Sequence, residues 1–141
     1  MRFPFKTIVN SEDETRLIAE KFAEKIKSGD IIALSGNLGT GKTFFVKSIA
    51  QCFDISNVTS PTFAIVNTYY GKLKINHFDF YRIKKIEELY DIGFEEYLFD
   101  NSSIVIIEWA EMFEEILPKN IFRIGISHLG NSKREIIIQK I

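Results

Sequence analysis

Eight residues in the first third of the chain, Gly36 to Thr43, have the types and the spacing needed to hold a polyphosphate. They read Gly-Asn-Leu-Gly-Thr-Gly-Lys-Thr, which fits the pattern Gly, four residues, Gly, Lys, Ser or Thr. Glycines let backbone amides approach phosphate oxygens without interference from side chains. Lys42 can neutralise the β- and γ-phosphates, and the Thr43 hydroxyl is a hard oxygen ligand for Mg²⁺. The segment therefore predicts a magnesium–nucleotide site.

Phosphoryl transfer or hydrolysis also requires a carboxylate near the metal, and the sequence offers two candidates. Glu108 directly follows the apolar run Ile104–Ile107, as expected of an acid at the carboxyl end of a buried strand beside the loop. Asp79 lies in a second apolar stretch, where strand alternation predicts that it shares a face with His77 and Tyr81. One carboxylate would hold the metal and the other would order the attacking water. Residue type alone does not assign the two roles.

The segments on either side of the loop predict a strand, a turn and a helix. Residues 30–35 form a short apolar run typical of a buried strand, and apolar residues recur at helical spacing after Thr43. Before this unit, Ser11 and Glu14 have the form of a capping box, and the pattern that follows predicts a helix over about 12 to 28 that Gly29 ends. A phosphate loop requires this local context.

The rest of the chain predicts hairpins and short helices. The predicted elements are strands over 63–70 and 74–80, a helical stretch over 84–99 broken near Gly93, a strand over 103–108, a helix over about 110–117, and strands over 121–127 and 134–141. Strands alternating with helices early and hairpins late predict the α/β class, with a mixed β-sheet flanked by helices. Since no repeat or linker is present, residues 1–141 are interpreted as a single P-loop NTPase domain.

Composition excludes several classes of protein. The chain has 141 residues with 18 basic and 19 acidic side chains, a net charge of −1, so it lacks the positive field that binds nucleic acid by electrostatics alone. Its apolar runs are far shorter than the roughly 20 residues that span a bilayer, and its start does not resemble a secretory signal. The single cysteine, Cys52, cannot form an internal disulfide. We therefore expect a cytoplasmic protein with no membrane partner.

Four segments together resemble the TsaE family, also called YjeE, the small bacterial ATPases of tRNA threonylcarbamoyladenosine (t6A) synthesis. They are the phosphate loop, Thr59-Ser60-Pro61-Thr62-Phe63, His77-Phe78-Asp79-Phe80-Tyr81-Arg82 and Ile107-Glu108-Trp109, in the order and spacing of that family. The resemblance covers essentially the whole chain. It implies a Mg²⁺-dependent ATPase that is slow alone and acts with TsaB and TsaD partner subunits, supporting the synthase and meeting tRNA only indirectly through the assembly.

The resemblance also implies roles for individual residues. Lys42, Asp79 and Glu108 would be catalytic, with Thr43 and Glu108 holding Mg²⁺ and Asp79 assisting hydrolysis. Thr59 to Thr62 would lie near the γ-phosphate as a mobile switch. The implied nucleotide contacts are Ser11, Gly36, Leu38, Gly39, Thr40, Gly41, Lys42, Thr43, Thr62, Trp109 and Arg134.

Other functions of a phosphate loop remain open at the level of sequence. A small-molecule kinase usually encloses its donor with a lid containing several arginines, whereas the five arginines here are widely scattered. A GTPase would carry an Asn-Lys-x-Asp guanine reader, and this tetrapeptide does not occur, which favours adenine. The alternative that is not primarily an enzyme is a nucleotide-regulated binding module, in which ATP turnover is incidental.

Overall fold

The computed structural model describes residues 1–61 and 64–141, and a single mixed sheet runs through this part of the chain. Its strands are β1 (Phe5–Val9), β2 (Ile31–Ser35), β3 (Val66–Tyr70), β4 (Lys74–Asp79), β5 (Ser103–Glu108), β6 (Phe122–Gly130) and β7 (Lys133–Lys140). They lie in the spatial order β1-β7-β6-β2-β5-β4-β3. The four central strands are parallel, while β1, β7 and β3 are antiparallel to their neighbours. The prediction of a mixed α/β sheet with a late hairpin is confirmed.

Helices cover both faces of this sheet. They are α1 (Glu12–Ala23), α2 (Lys42–Gln51), α3 (Glu87–Asp91) and α4 (Phe94–Leu98), with 3₁₀ helices at Phe80–Arg82 and Ala110–Ile116. Because side chains alternate along a strand, β2 contributes to a core on each face. Ile32 and Leu34 pack in the cluster that includes Phe22 of α1 and Phe45 of α2, whereas neighbouring residues of β2 pack in a second cluster with Phe94 of α4. This double coverage explains the continuous apolar runs of the central strands.

Two predictions about local structure are wrong in detail. Helix α1 ends at Ala23 instead of continuing to about residue 28. Lys25 N donates to the Phe22 carbonyl in a tightened last turn, and Gly29 N donates to Ser103 on β5 at 2.8 Å, so the chain has already turned towards the sheet. The segment predicted as a helix over 110–117 is 3₁₀ and is interrupted by non-helical backbone at Phe113.

Other boundaries shift or fall outside the described residues. Strand β1 was not predicted, because its residues Phe-Lys-Thr-Ile-Val do not alternate between apolar and polar types, and its two exposed positions are Lys6 and Ile8. Strand β3 begins at Val66, and the predicted start of that strand at Phe63 lies outside the described residues. No helix within residues 1–61 and 64–141 is long and apolar enough to cross a membrane.

The parallel register brings the ends of three central strands to one edge of the sheet. Leu34 of β2 pairs with Glu108 of β5, and Asp79 of β4 pairs with the same Glu108. Both acids are therefore last residues of adjacent strands, at the edge where the chain leaves β2 for the glycine-rich loop. Ligands of open α/β sheets bind at this carboxyl edge.

Candidate nucleotide and metal site

The glycine-rich loop leads directly from β2 into α2 and borders a cavity. Gly41 caps the helix, and its carbonyl accepts from Phe45 N at 2.9 Å. The amino end of α2, with its free amides and positive dipole, therefore faces the loop. The cavity has a volume of about 450 Å³ and is lined by Leu38, Gly39, Gly41, Lys42, Thr43, Phe44, Ser60, Asp79, Tyr81, Arg82, Glu108 and Trp109. These residues include most members of the predicted phosphate site and both predicted carboxylates.

Lys42 is held against its own loop. Its Nζ donates to the carbonyls of Gly36 at 2.6 Å and Asn37 at 2.9 Å, and it lies 4.1 Å from the centre of the Trp109 ring. Burial lowers the pKa of Lys42, while the nearby carboxylates, with Glu111 foremost, oppose that shift. The lysine is thus placed at the loop with hydrogen bonds that fix its position, as a phosphate-neutralising cation requires.

Thr43 and Glu108 are in contact although they are 65 positions apart in the sequence. Thr43 Oγ1 donates to Glu108 Oε1 at 2.8 Å, and the Ser60 hydroxyl lies 3.2 Å from Thr43 Oγ1. Only 2% of the Glu108 residue is exposed, and its second oxygen, Oε2, lies 2.6 Å from His77 Nε2. The structure therefore brings the two predicted metal ligands into direct contact at the mouth of the loop.

The donor atoms at this point suit a hard divalent cation. Hydroxyl oxygens of Thr43 and Ser60 and a carboxylate oxygen of Glu108 converge, and Mg²⁺ prefers such ligands. Among the described residues, no group of three or more His, Cys, Asp or Glu side chains is arranged to hold a metal by itself. Mg²⁺ at nucleotide sites is usually bound by one or two protein oxygens together with phosphates and water, and the residues present fit that mode.

Asp79 lies beside this pair at the end of β4. Burial raises the pKa of Asp79 above its ordinary value of 3.8, and the Glu108 carboxylate adds to the rise, while a hydrogen bond from Tyr81 N opposes it. That bond measures 3.0 Å and makes Asp79 the cap of the 3₁₀ helix that follows. The expectation that Tyr81 continues the strand face is wrong, because the chain turns there. Tyr81 instead stacks near Trp109, with ring centres 4.7 Å apart.

Arg134 and Thr40 meet at the opposite side of the loop. Arg134 Nε donates to the Thr40 carbonyl at 2.7 Å, and Arg134 lines a smaller cavity of about 80 Å³ with Glu12, Thr15, Gly41 and Phe44. Within the described part of the chain, the buried Thr40 hydroxyl has no hydrogen-bond partner. A buried polar atom without a partner costs roughly 1–3 kcal/mol. Thr40 is 2% exposed and lines neither cavity, so the structure does not place this predicted contact against either of them.

Three other predicted nucleotide contacts, Ser11, Leu38 and Thr62, are not enclosed by either cavity or lie outside the described residues. Ser11 caps α1, with its hydroxyl accepting from Glu14 N at 3.1 Å, and it is not among the residues that line either cavity. Leu38 lines the larger cavity but is 71% exposed. Thr62 lies outside the described residues, so only Thr59 to Pro61 of the predicted switch can be placed.

Two features of the site were not predicted from sequence. Glu111 Oε2 accepts from Gly36 N at 3.1 Å, which places a third carboxylate at the start of the phosphate loop. It follows Glu108 by three residues, and this spacing was the available signal. Trp109, between them, has a φ of 58°, a left-handed conformation uncommon for a bulky residue and frequent at functional sites.

The fold and the site together define a P-loop nucleotide-binding protein. The family model described as "Threonylcarbamoyl adenosine biosynthesis protein TsaE" matches residues 9–136, and the chain belongs to the TsaE family. A relative from Rickettsia typhi, a tRNA threonylcarbamoyladenosine biosynthesis protein TsaE, is 41% identical over 135 residues, or 94% of this chain and 92% of its own length. One of the same name from Bacillus subtilis is 42% identical over 130 residues, covering 91% and 80%.

A solved structure agrees with this assignment. The crystal structure of Bacillus subtilis YdiB superposes with a TM-score of 0.75 at 32% sequence identity, covering 97% of this chain and 86% of that one. The family predicted from the four sequence segments is confirmed, as is the fold class.

Proposed function

We propose that the protein is the Mg²⁺-dependent ATP-binding and ATP-hydrolysing component of the t6A modification machinery, acting with TsaB and TsaD subunits. The family description and the names of the relatives support the pathway. The observation that carries the chemistry is the contact between Thr43 and Glu108 at the end of the phosphate loop. It joins a helix-start hydroxyl to a strand-end carboxylate, the pair of oxygen ligands that a nucleotide-bound cation needs.

Each residue of the site has a distinct part in hydrolysis. Lys42 binds the β- and γ-phosphate oxygens and neutralises charge that builds up on them. Thr43 and Glu108 would hold Mg²⁺, which would supply positive charge to neutralise phosphate oxygens. Asp79, whose pKa is raised by burial, accepts a hydrogen bond from the attacking water and orients it. The loop amides and the start of α2 bind the phosphates.

The partner and location follow from the same proposal. A net charge of −1 provides little attraction to nucleic acid, so tRNA would be met through the assembled synthase. The ATPase would support or reset that synthase in the cytoplasm, where tRNA is modified. The five arginines are widely scattered in the sequence instead of being gathered in a lid over the phosphate donor, which favours hydrolysis over transfer to a metabolite.

The decisive experiment measures ADP and phosphate release with and without the TsaB and TsaD partners. We expect slow release alone and a strong rise with both partners. Lys42→Ala should abolish release because it removes the cation at the loop. Lys47→Ala, an exposed lysine on the same helix, is the matched control and should keep the wild-type rate.

Three outcomes would contradict the proposal. Retained turnover in Lys42→Ala would mean that the loop is not the site of hydrolysis. Phosphate on a metabolite instead of in solution would identify a kinase. Nucleotide-dependent partner binding without any stimulated turnover would identify a nucleotide-regulated binding module.

A further inference from the structure

A buried histidine makes the second contact of the Glu108 carboxylate. His77 is 0% exposed, and its Nε2 lies 2.6 Å from Glu108 Oε2, while Glu108 Oε1 accepts from Thr43. Because an ionised carboxylate can only accept, Nε2 is the donor in this bond. The two oxygens of Glu108 therefore have different partners, one towards the nucleotide cavity and one towards the interior.

The other nitrogen of the imidazole ring is also engaged. His77 Nδ1 lies 3.3 Å from the hydroxyl of Tyr69, itself only 5% exposed. That hydroxyl accepts from Thr59 N at 3.1 Å, and its single proton is donated either to the Thr59 carbonyl at 2.7 Å or to His77 Nδ1. A continuous series of polar contacts thus runs from Thr43 through Glu108, His77 and Tyr69 to the backbone of Thr59.

The sheet register makes this arrangement possible. His77 on β4 pairs with Ile106 on β5, so Glu108, two residues further along, is its diagonal neighbour on the same face. On its other side His77 pairs with Asn67 of β3, and Tyr69 is the corresponding diagonal neighbour. Three polar side chains from three adjacent strands, Tyr69, His77 and Glu108, therefore lie in one row on one face of the sheet.

We propose that His77 is a positioning residue that fixes the Glu108 carboxylate for the divalent cation, with Tyr69 fixing the imidazole ring. This inference rests on the proposed function, because it assumes that Glu108 holds a nucleotide-bound cation. With Oε2 bound to His77, the carboxylate loses its freedom to rotate, and Oε1 stays at the Thr43 hydroxyl before the cation arrives. Residues that hydrogen-bond a metal-binding side chain commonly change metal affinity by about 10- to 100-fold when replaced.

A pair of nearly isosteric replacements separates this role from simple core packing. In His77→Gln the side-chain amide nitrogen can take the place of Nε2 and still donate to Glu108, whereas in His77→Asn the shorter amide corresponds to Nδ1 and leaves Glu108 without its donor. Asn76→Ala is the matched control. Asn76 is buried on the same strand and donates to Ser103 at 3.1 Å, but it does not contact Glu108.

The measurement is the ADP dissociation constant by calorimetry, with Mg²⁺ and with a chelator, for each purified full-length variant. The dissociation constant with chelator divided by that with Mg²⁺ reports how much the cation contributes to ADP affinity, independently of hydrolysis. We expect His77→Asn to lower this ratio about tenfold or more, with metal-free ADP affinity within about twofold of wild type. His77→Gln and Asn76→Ala should keep the wild-type ratio.

The results distinguish failure of this inference from failure of the proposed function. If Mg²⁺ does not change the ADP affinity of the wild-type protein, both the proposed function and the positioning role of His77 are overturned. A wild-type protein that responds to Mg²⁺ while His77→Asn keeps its ratio, or while His77→Gln loses as much as His77→Asn, would overturn the positioning role alone. If His77→Asn does not fold, Tyr69→Phe decides: a ratio lowered about twofold to tenfold supports the role, and an unchanged ratio overturns it.

Discussion

Gly36→Ala and Gly39→Ala are two matched variants of the phosphate loop, and we expect the first to affect mainly stability and the second mainly nucleotide binding. Both glycines have positive φ values, +154° and +77°. A Cβ at position 36 would lie 2.5 Å from the Ile126 carbonyl oxygen and 2.8 Å from Thr40 Oγ1. At position 39, no atom of the described residues lies within 4 Å of the added carbon. Gly36 is thus constrained by the protein's own packing, and Gly39 borders the nucleotide cavity.

The contacts set the size of the expected changes in the free energy of unfolding. Positive φ costs an alanine about 1–2 kcal/mol, and the lower entropy of the unfolded chain returns roughly 0.4–1 kcal/mol. Gly39→Ala should therefore destabilise the fold by about 1 kcal/mol. Gly36→Ala adds an overpacking cost of roughly 1–3 kcal/mol against a backbone oxygen that cannot rotate away, for a total of about 3 kcal/mol. At about 3–4 °C per kcal/mol, the Tm of Gly36→Ala should be roughly 6–8 °C lower than that of Gly39→Ala.

Thermal unfolding without nucleotide, followed by calorimetric titration with Mg-ADP, tests both expectations. Gly39→Ala should unfold close to the wild-type temperature but bind Mg-ADP at least about tenfold more weakly, because its methyl group occupies space beside the loop amides. Equal Tm losses in the two variants would refute the packing argument at Gly36. Wild-type affinity in Gly39→Ala would refute the placement of phosphate at the tip of the loop.

Three further predictions concern charged and aromatic side chains, two of them at the carboxyl edge of the sheet and one at the amino ends of β4 and β5. Glu108→Gln should weaken the Mg²⁺ dependence of ATP hydrolysis more than Asp79→Asn does, and the reverse ranking in a Mg²⁺ titration would exchange their roles. Trp109 fluorescence should change on adding Mg-ADP, because the indole lies 4.1 Å from the lysine ammonium of the loop; a flat titration at saturating nucleotide would contradict this placement. Hydrogen bonds from neighbouring serine and lysine side chains hold the pKa of Asp100 well below 3.8, so its stabilising effect is complete above that pH and is lost as the pH falls further. The Tm difference between wild type and Asp100→Asn should therefore become smaller below pH 3.8. A Tm difference that stays constant in thermal unfolding at lower pH would contradict this expectation.

Local patterns account for what could be predicted from sequence. The phosphate loop is a contiguous motif between a short apolar run and a segment with helical spacing of apolar residues. Its chemistry and its strand-to-helix context could therefore both be predicted from one segment. Glu108 was identifiable because it ends an apolar strand. The end of α1 was misjudged because Ile26 continues the apolar spacing and is indeed buried, although it lies beyond the helix.

The contacts between distant residues could not be predicted in the same way. The bond from Thr43 to Glu108 depends on the parallel register of β2 with β5, and hairpin or helix patterns do not encode the pairing of distant strands. Glu111 was missed although it follows Glu108 by three residues, because a single exposed acid in a 3₁₀ segment does not indicate which backbone amide it contacts. The contact between His77 and Glu108 is a diagonal one between strands that are separated in the chain by a 3₁₀ helix and two short α-helices.

Polar groups of the site are paired with one another in the structure, and this affects how binding must be reasoned about. The Lys42 ammonium is bound to loop carbonyls, the Gly36 amide to Glu111, and the Thr43 hydroxyl to Glu108. Where a nucleotide and its cation take over any of these partners, binding exchanges one set of hydrogen bonds for another, so the net affinity is smaller than the sum of the new contacts. The Thr40 hydroxyl is different because, among the described residues, it has no partner to lose. A hydrogen bond gained there on binding would therefore replace none that exists in the structure.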